Sequence, residues 1–265
     1  MKRKEHLTVE PAATADAHSL AAPLPEVSDL LDGLPRQRGP AAAPAPVGAR
    51  RTAGPSLLRP WRLLPTPTGT PVTFGYAAVL AVTSLVAACA SPALVNALQQ
   101  GSSTDVAHLV RTPVLVLLAS ALWVAGGLVS PYVLCFLLVL TALERRIGGA
   151  RAIVVFLLGH VLATLATEGS VGLAVLAGHL PDSSLHRLDY GISFGVAAAV
   201  GALAGLLGPW LRWPLLILFG GMLVEDLIEF TDPMTNWGHL ISLSIGIATW
   251  PLVRRWRHEG WAARS

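Results

Sequence analysis

Residues 190–208 read YGISFGVAAAVGALAGLLG, a stretch without a single charged side chain. A helix needs about 20 mainly apolar residues to cross about 30 Å of hydrocarbon. The stretch therefore predicts a transmembrane helix. The whole chain of 265 residues agrees, because it is 53% hydrophobic and only 13% charged, and a soluble domain of this size carries roughly twice that charged share.

Apolar stretches elsewhere in the chain predict five more spans, which makes the fold class all-α, a polytopic membrane protein with six transmembrane helices. They cover about 72–95, a region ending at Leu143, 151–167 with an extension as far as 178, 211–228 and 236–253. The region from Pro113 to Leu143 is too long for one straight helix. Gly126, Gly127, Ser130 and Pro131 predict its division into a re-entrant or interfacial piece and a true span.

The chain divides into three parts by composition. Residues 1–70 are rich in Pro and Ala and lack apolar periodicity, so we expect a disordered tail. No apolar segment follows MKRKEHL closely enough for a cleavable signal peptide. Residues 71–256 form the predicted membrane domain, and 257–265 a short second tail.

Basic residues indicate the orientation of the spans. With the N-terminus inside, nine Lys and Arg of the first tail, three of ERRIGGAR, one of PWLRW and four of the C-terminal RRWRHEGWAARS are cytoplasmic, and only Arg111 and Arg187 lie outside. We therefore expect both termini in the cytoplasm and the protein in the plasma (inner) membrane. These residues have no nucleic-acid recognition context, so the lipid bilayer, and no nucleic acid, is the predicted partner.

Two polar residues inside predicted spans are candidates for chemistry: Ser193 in DYGISFG and His239 in TNWGHLISLSIG. Both spans run from outside to inside, and each residue lies about four positions past the outer end, roughly 6 Å deep at 1.5 Å per residue. A serine becomes a nucleophile when a base within about 2.6 to 3.2 Å takes its proton. The pair therefore predicts a Ser-His catalytic dyad.

Small residues offer a way to bring the two spans together. Gly191, Gly195 and Ala199 recur at four-residue spacing on one span, and Gly238, Ser242 and Gly246 on the other. This small-xxx-small pattern favours close approach of helix backbones.

With these motifs the chain resembles the rhomboid family of intramembrane serine proteases, over about residues 72–256. Gly191-Ile192-Ser193-Phe194 is similar to the family's GxSG motif on helix four, and Gly238-His239 to its GH motif on helix six. Glu144 to Gly148 resembles the ExxxG turn after helix two, and Thr112 to Trp123 the membrane-lying segment before it. The resemblance implies a six-helix core and cleavage of transmembrane substrates, with Ser193 as nucleophile, His239 as base and no metal or cofactor.

The chain also departs from the family pattern. Rhomboids carry a His and an Asn near the outer start of helix two that help to stabilise the oxyanion, whereas this chain has LVSPYV at 128–133, and Phe194 replaces the second glycine of GxSG. One such donor is worth about 2.7 to 4 kcal/mol. Substitutes would be backbone N–H groups around Ser193, Tyr190, Asn236 or Ser130. A catalytically inactive rhomboid-like protein that binds transmembrane clients is therefore the alternative.

Other polar residues carry further readings. Mid-span His160 is expected to bond a neighbouring helix rather than join the dyad. A metal-dependent hydrolase or transporter would draw ligands from an acidic and histidine-rich set on the outer side, but no HxxxH or HExxH spacing is present. That set comprises His179, His186, Asp189, Glu225, Asp226, Glu229 and Asp232. The interpretation that we favour is that these residues lie in a solvated outer loop.

Overall fold

A computed structural model describes residues 63–127 and 129–262. The tail predicted over 1–70 lies almost entirely outside the described residues. The described chain is all-α, as predicted, and has no strand. Its α-helices are α1 (Pro71–Cys89), α2 (Pro92–Gly101), α3 (Val106–Arg111), α4 (Pro113–Ser120), α5 (Pro131–Ile147), α6 (Gly149–Leu176), α7 (Ser193–Leu206), α8 (Pro209–Glu229), α9 (Pro233–Ala248) and α10 (Trp250–Ala262). A short 3-10 helix, Asp182–His186, precedes α7.

Two helices in the described part of the chain, α1 and α6, are long and apolar enough to cross a membrane. The first predicted span, 72–95, is interrupted, because α1 ends at Cys89 and Pro92 begins α2. Proline disfavours the continuation of a helix, since it lacks an N–H and its ring clashes with the preceding turn. The last predicted span, 236–253, is likewise divided at Thr249 between α9 and α10.

The long apolar region between Pro113 and Leu143 is divided as the sequence predicts. Helix α4 ends at Ser120 and α5 begins at Pro131. Between them Gly126 and Gly127 have φ angles of 78° and 71°. Glycine enters this left-handed region at no steric cost, which allows the chain to turn between the two helices.

Helix α7 occupies the centre of the bundle, where it packs against α5, α6, α8 and α9. Every side chain from Phe194 to Leu206 is buried. The helix begins at Ser193, three residues later than the predicted span, because Gly191 has a φ of 129°. Its 14 residues measure about 21 Å, which is shorter than the roughly 30 Å hydrocarbon core.

The contact between α7 and α9 is close because small residues on α9 face the α7 backbone. A Cβ added to Gly246 would clash with the backbone of Ala198, and Ser242 Oγ donates a hydrogen bond to the carbonyl of Phe194. The predicted small-residue face of α9 is therefore confirmed. A Cβ on Gly201 would likewise meet the Leu243 carbonyl.

The face predicted on α7 was wrong. Gly195 points at the ring of Phe156 on α6, and Gly191 lies beside Ala125 instead of α9. A helix that is apolar on every side carries no polar face to indicate which side meets which neighbour.

Glu144, near the end of α5, caps the start of α1. Its Oε1 accepts the Val72 N–H at 3.1 Å, and its Oε2 accepts the Thr73 N–H at 2.7 Å and the Thr73 hydroxyl at 2.6 Å. The first N–H groups of a helix have no partner within the helix, and a negative carboxylate there also interacts favourably with the positive end of the helix dipole. The glutamate of the ERRIG turn is thus a structural residue that joins two helices.

Arginines cap the opposite end of the central helix, which we name the arginine end and define by the carbonyls of residues 204–207. Four carbonyls at this end each receive a guanidinium hydrogen bond, and the Ala204 carbonyl also accepts the Leu207 N–H at 3.3 Å. Arg212 donates to Ala204 (2.9 Å) and Leu207 (2.7 Å), Arg254 to Gly205 (3.0 Å) and Arg257 to Leu206 (3.2 Å).

Candidate functional site

A cavity of about 410 Å³ lies at the N-terminal end of α7. Residues of the loop before α7 and of helices α5, α6, α7 and α9 line it, among them Ser193 and His239. We name this region the cavity end of α7, defined by Gly191 to Ser193 and the facing His239. Both candidate residues of the sequence therefore border the same space.

Ser193 is the first residue of α7 and is half-buried. The first helical hydrogen bond of α7 runs from the Val196 N–H to the Ile192 carbonyl at 3.0 Å. The N–H groups of Ser193, Phe194 and Gly195 precede that bond, and N–H groups at this position point out of the helix end. Together with the helix dipole they favour negative charge beside Ser193.

The loop before Ser193 is held by its backbone. The Gly191 N–H donates to the carbonyl of Ser120 at the end of α4, at 3.0 Å. With a φ of 129°, Gly191 adopts a conformation that other residues rarely reach, and an added Cβ would lie 3.4 Å from Ala125. A glycine at this position of the GIS motif therefore has a conformational reason.

His239 lies in the second turn of α9 and is 5% exposed. Its ring stacks on Tyr132 of α5, with centroids 5.1 Å apart and an interplanar angle of 22°, and contacts the Phe194 ring edge-on at 5.2 Å. Its Nδ1 is 3.4 Å from the Tyr132 hydroxyl. Within the described residues its Nε2 is buried and has no hydrogen-bond partner.

No hydrogen bond joins Ser193 to His239 in the described part of the chain. To the other described residues the ring makes one polar contact, through Nδ1, and Nε2 makes none. An imidazole fixed by stacking on one ring, by an edge-on contact with a second ring and by a contact at Nδ1 presents the other nitrogen in a defined direction. The arrangement leaves a buried basic nitrogen at a cavity that also contains a serine hydroxyl.

The family comparison covers this whole region. A family model described as rhomboid-like protein matches residues 68–259. The chain belongs to the rhomboid-like family. It is therefore a membrane protein that resides in the lipid bilayer. No curated protein and no solved structure matches it significantly.

The structure places the residues predicted as substitute oxyanion donors in two different locations. Ser130 and Tyr190 line the cavity with Ser193. Asn236 is elsewhere: its amide donates to the Asp226 carbonyl of α8 at 2.7 Å. Asn236 therefore joins α8 to α9.

His160 of the rhomboid-like bundle connects α6 to α4. Its Nε2 is 3.1 Å from the Leu117 carbonyl and 3.1 Å from Ser120 Oγ. Because a carbonyl only accepts, Nε2 carries the proton. The expected bond to a neighbouring helix is confirmed. It also steadies Ser120, the residue whose carbonyl holds Gly191.

The predicted acidic and histidine set does not converge. Within the described residues no group of three or more His, Cys, Asp or Glu side chains could hold a metal ion. Asp232 instead caps α9, since its Oδ1 accepts the Thr235 N–H at 3.3 Å and its Oδ2 accepts the Thr235 hydroxyl at 2.7 Å, and it pairs with Arg187 at 3.3 Å. Arg187 also pairs with buried Glu168 of α6. These carboxylates therefore connect the loop before α7 to α6 and to the start of α9.

The loop residues beside the cavity are closely connected. Asp189 Oδ2 accepts the Thr104 hydroxyl at 3.1 Å, and the Asp189 N–H donates to Ser103 Oγ at 3.1 Å. Burial raises the pKa of the Asp189 carboxyl, although nearby Arg187 opposes the change. Burial would lower the pKa of Arg187, but the charges of Glu168 and Asp189 raise it overall. The network holds the loop that leads into Ser193.

Tyr132 is the residue of this rhomboid-like site that the sequence analysis missed. In the sequence, the segment 128–133 differs from the family pattern by its lack of His and Asn, and this difference does not point to Tyr132. The useful signal was its position, since Tyr132 is in the first turn of α5 and His239 is in the second turn of α9. Aromatic residues at the same ends of two helices can stack across the bundle.

Proposed function

We propose that this chain is an intramembrane serine protease that cleaves transmembrane proteins, with Ser193 as nucleophile and His239 as general base. The observation that carries the proposal is the unpaired, buried Nε2 of His239 at the cavity that Ser193 lines. An unpaired buried polar atom costs about 1 to 3 kcal/mol. A catalytic role is one physical reason for a protein to retain such an atom.

The chemistry requires one tautomer of His239. When Nδ1–H donates to the Tyr132 hydroxyl, Nε2 has a free lone pair for the Ser193 proton. Ser193 Oγ then attacks the scissile carbonyl. His239 passes the proton to the leaving amine, and water releases the acyl-enzyme. Ser193 Oγ must approach Nε2 to about 3 Å, a distance that catalytic pairs often reach only with substrate bound.

The first turn of α7 is the proposed oxyanion site. It supplies the backbone N–H groups of Ser193 to Gly195, which precede the first helical bond of α7. Donors of this kind stabilise the charge that develops in the transition state and replace the His and Asn that the chain lacks. Ser130 and Tyr190 line the same cavity and are the proposed side-chain contributors to oxyanion stabilisation.

The proposed topology has six spans formed by α1, α5, α6, α7, α8 and α9. Both termini are proposed to lie in the cytoplasm and the protein in the plasma (inner) membrane. Residues 1–70 and 257–265 are then cytoplasmic tails of a 71–256 membrane domain. The support is the charge distribution, which leaves Arg111 and Arg187 as the outer basic residues.

A serine-directed fluorophosphonate probe tests the proposal. We expect the purified full chain to be labelled at Ser193, and labelling to be lost in Ser193→Ala and His239→Ala. Ser244→Ala is the matched control, because Ser244 lies on α9 with His239 but is exposed and bonds the Leu240 carbonyl. Equal labelling of wild type and Ser193→Ala would overturn the assignment.

The second candidate is an inactive rhomboid-like protein that binds transmembrane clients. Two observations favour it: the lack of His and Asn at 128–133, and the lack of a Ser193 to His239 hydrogen bond among the described residues. This candidate predicts no labelling of wild type by the probe. It also predicts that photo-crosslinkers placed around the cavity capture the same transmembrane proteins in wild type and Ser193→Ala.

A further inference from the structure

A second cavity lies at the arginine end of α7, far along the helix from Ser193. Its volume is about 460 Å³. Its walls are the chain from Gly205 to Gly208, Arg212 of α8, and Arg254, Arg257 and His258 of α10. None of these described lining residues carries a carboxylate. The cavity is therefore strongly basic.

Among the described residues, no acidic side chain pairs with any of the three arginines. Arg255, a neighbour on the same helix, pairs with Glu259 at 3.0 Å, and Arg151 pairs with Glu259 at 2.9 Å. Within the described part of the chain, Arg212, Arg254 and Arg257 instead donate only to carbonyls of α7. The end of a helix supplies roughly half a negative charge, so three full positive charges exceed it.

The arginines also retain unused donors. Arg254 and Arg257 each give one hydrogen bond to α7, and Arg212 gives two. A guanidinium has five N–H donors in a fixed fork. Capping the helix therefore uses a minority of the donors, and the others are free to bind an anion in the cavity.

Trp250 holds two of the guanidinium groups in place. Arg212 and Arg254 lie over its ring at 5.1 and 5.2 Å, and its indole N–H donates to the Gly201 carbonyl at 2.8 Å. Arginines that are already ordered lose little side-chain entropy when a ligand binds. The cavity is thus prepared for an anion before one arrives.

We propose that this cavity binds a phosphate group. Planar guanidinium forks match phosphate oxygens in pairs, and several of them around one space favour phosphate over a single carboxylate. In a bilayer protein the phosphate can come from an anionic phospholipid headgroup, and basic pockets between membrane helices bind such headgroups. A soluble phosphate compound offers the same chemistry.

Ligand-dependent thermal unfolding of the detergent-purified full chain tests this site. Phosphatidylglycerol, phosphatidylcholine and inorganic phosphate are titrated separately. The site variant is Arg254→Gln with Arg257→Gln, in which each amide can still donate to α7. Arg255→Gln is the matched control, because that arginine lies outside the cavity lining and pairs with Glu259.

We expect phosphatidylglycerol, but not phosphatidylcholine, to raise the unfolding temperature of wild type and of Arg255→Gln. The double variant should bind phosphatidylglycerol at least about tenfold more weakly, because two charge-assisted contacts are lost. If inorganic phosphate stabilises wild type, phosphatidylglycerol does not, and the double variant loses the effect, the site is supported and its ligand is a soluble phosphate compound. If the double variant does not fold, Arg257→Gln carries the comparison. An unchanged response of the variant to both phosphate ligands, or equal effects of the two lipids, would overturn the proposal.

Discussion

The two ends of α7 differ in how their polar groups are satisfied. At the arginine end, guanidinium groups bond the four terminal carbonyls at 2.7 to 3.2 Å. At the cavity end, the first N–H groups precede the helical bonding pattern and His239 Nε2 lacks a partner among the described residues. Both ends of this short helix therefore border a cavity, but among the described residues side chains bond the terminal backbone carbonyls only at the arginine end.

The difference indicates where stability and chemistry are located. Paired groups at the arginine end hold the helix in the bundle, whereas unpaired groups at the cavity end are available to a reacting molecule. Changes at the cavity end should then lower activity at constant stability. Changes at the middle of α7, or where Glu144 caps α1, should lower stability and leave the activity per folded molecule unchanged.

The largest effect is expected from removing both members of the dyad. Ser193→Ala and His239→Ala should each lower the rate of fluorophosphonate labelling by about 10³-fold or more, and the double variant should fall no further, because the pair acts as one unit. The measurement is labelling per folded molecule. A double variant much slower than either single variant would mean that the two residues act separately.

The next effect concerns the contact in the middle of α7. Gly246→Ala should lower the free energy of unfolding by about 3 kcal/mol, because its Cβ clashes with the backbone of Ala198, which cannot yield. Gly221→Ala is the control on α8, where an added Cβ meets nothing within 4 Å. That control should be neutral or stabilise by about 0.5 kcal/mol. Denaturation of both variants in detergent tests the contrast, and equal stabilities would contradict the described packing.

Glu144→Gln tests the capped start of α1. We expect a loss of about 1 to 2 kcal/mol in unfolding free energy, since the carboxylate accepts three hydrogen bonds there. In glutamine, an NH₂ group replaces one of the two acceptor oxygens and would face an N–H or O–H donor. Labelling of Ser193 per folded molecule should not change. Glu259→Gln is the matched control with exposed partners, and it should cost about 0.5 kcal/mol or less. A Glu144→Gln protein as stable as wild type would disprove the cap.

The smallest effect is expected at the hydroxyl of Tyr132. Tyr132→Phe keeps the stacked ring but removes the contact to His239 Nδ1, so labelling should slow about five- to tenfold, equivalent to roughly 1 kcal/mol. Tyr76→Phe provides the opposite case: its hydroxyl donates to the Ala121 carbonyl at 2.6 Å, so stability should fall instead. Unchanged labelling in Tyr132→Phe would remove this residue from the proposed mechanism.

The sequence predicted the helices well where composition decides them. Glycines 126 and 127 and Pro131 divided α4 from α5, and the predicted third and fifth spans match α6 and α8 within a few residues. The two candidate residues, Ser193 and His239, were found because a polar residue inside an apolar span is costly and therefore conspicuous. Both now line one cavity.

The sequence failed where only tertiary contacts decide. The neighbours of α7 could not be assigned because the helix is buried on all sides, so Gly195 was placed against α9 and lies against Phe156 of α6. Tyr132 carried no polar contrast with its surroundings. The arginines of residues 212, 254 and 257 were interpreted only as orientation signals, since their bonds to α7 depend on side-chain geometry.

The Glu144 cap has a consequence for how the chain assembles. Val72 and Thr73 are separated from Glu144 by about 70 residues, so in the proposed topology the N–H groups at the start of α1 have no carboxylate acceptor until α5 has been synthesised and inserted. An α1 inserted in the reverse direction would put its first N–H groups on the other face of the bilayer and strand the carboxylate. Correct insertion of α1 is therefore required if Glu144 is to find its hydrogen-bond partners once α5 is in place.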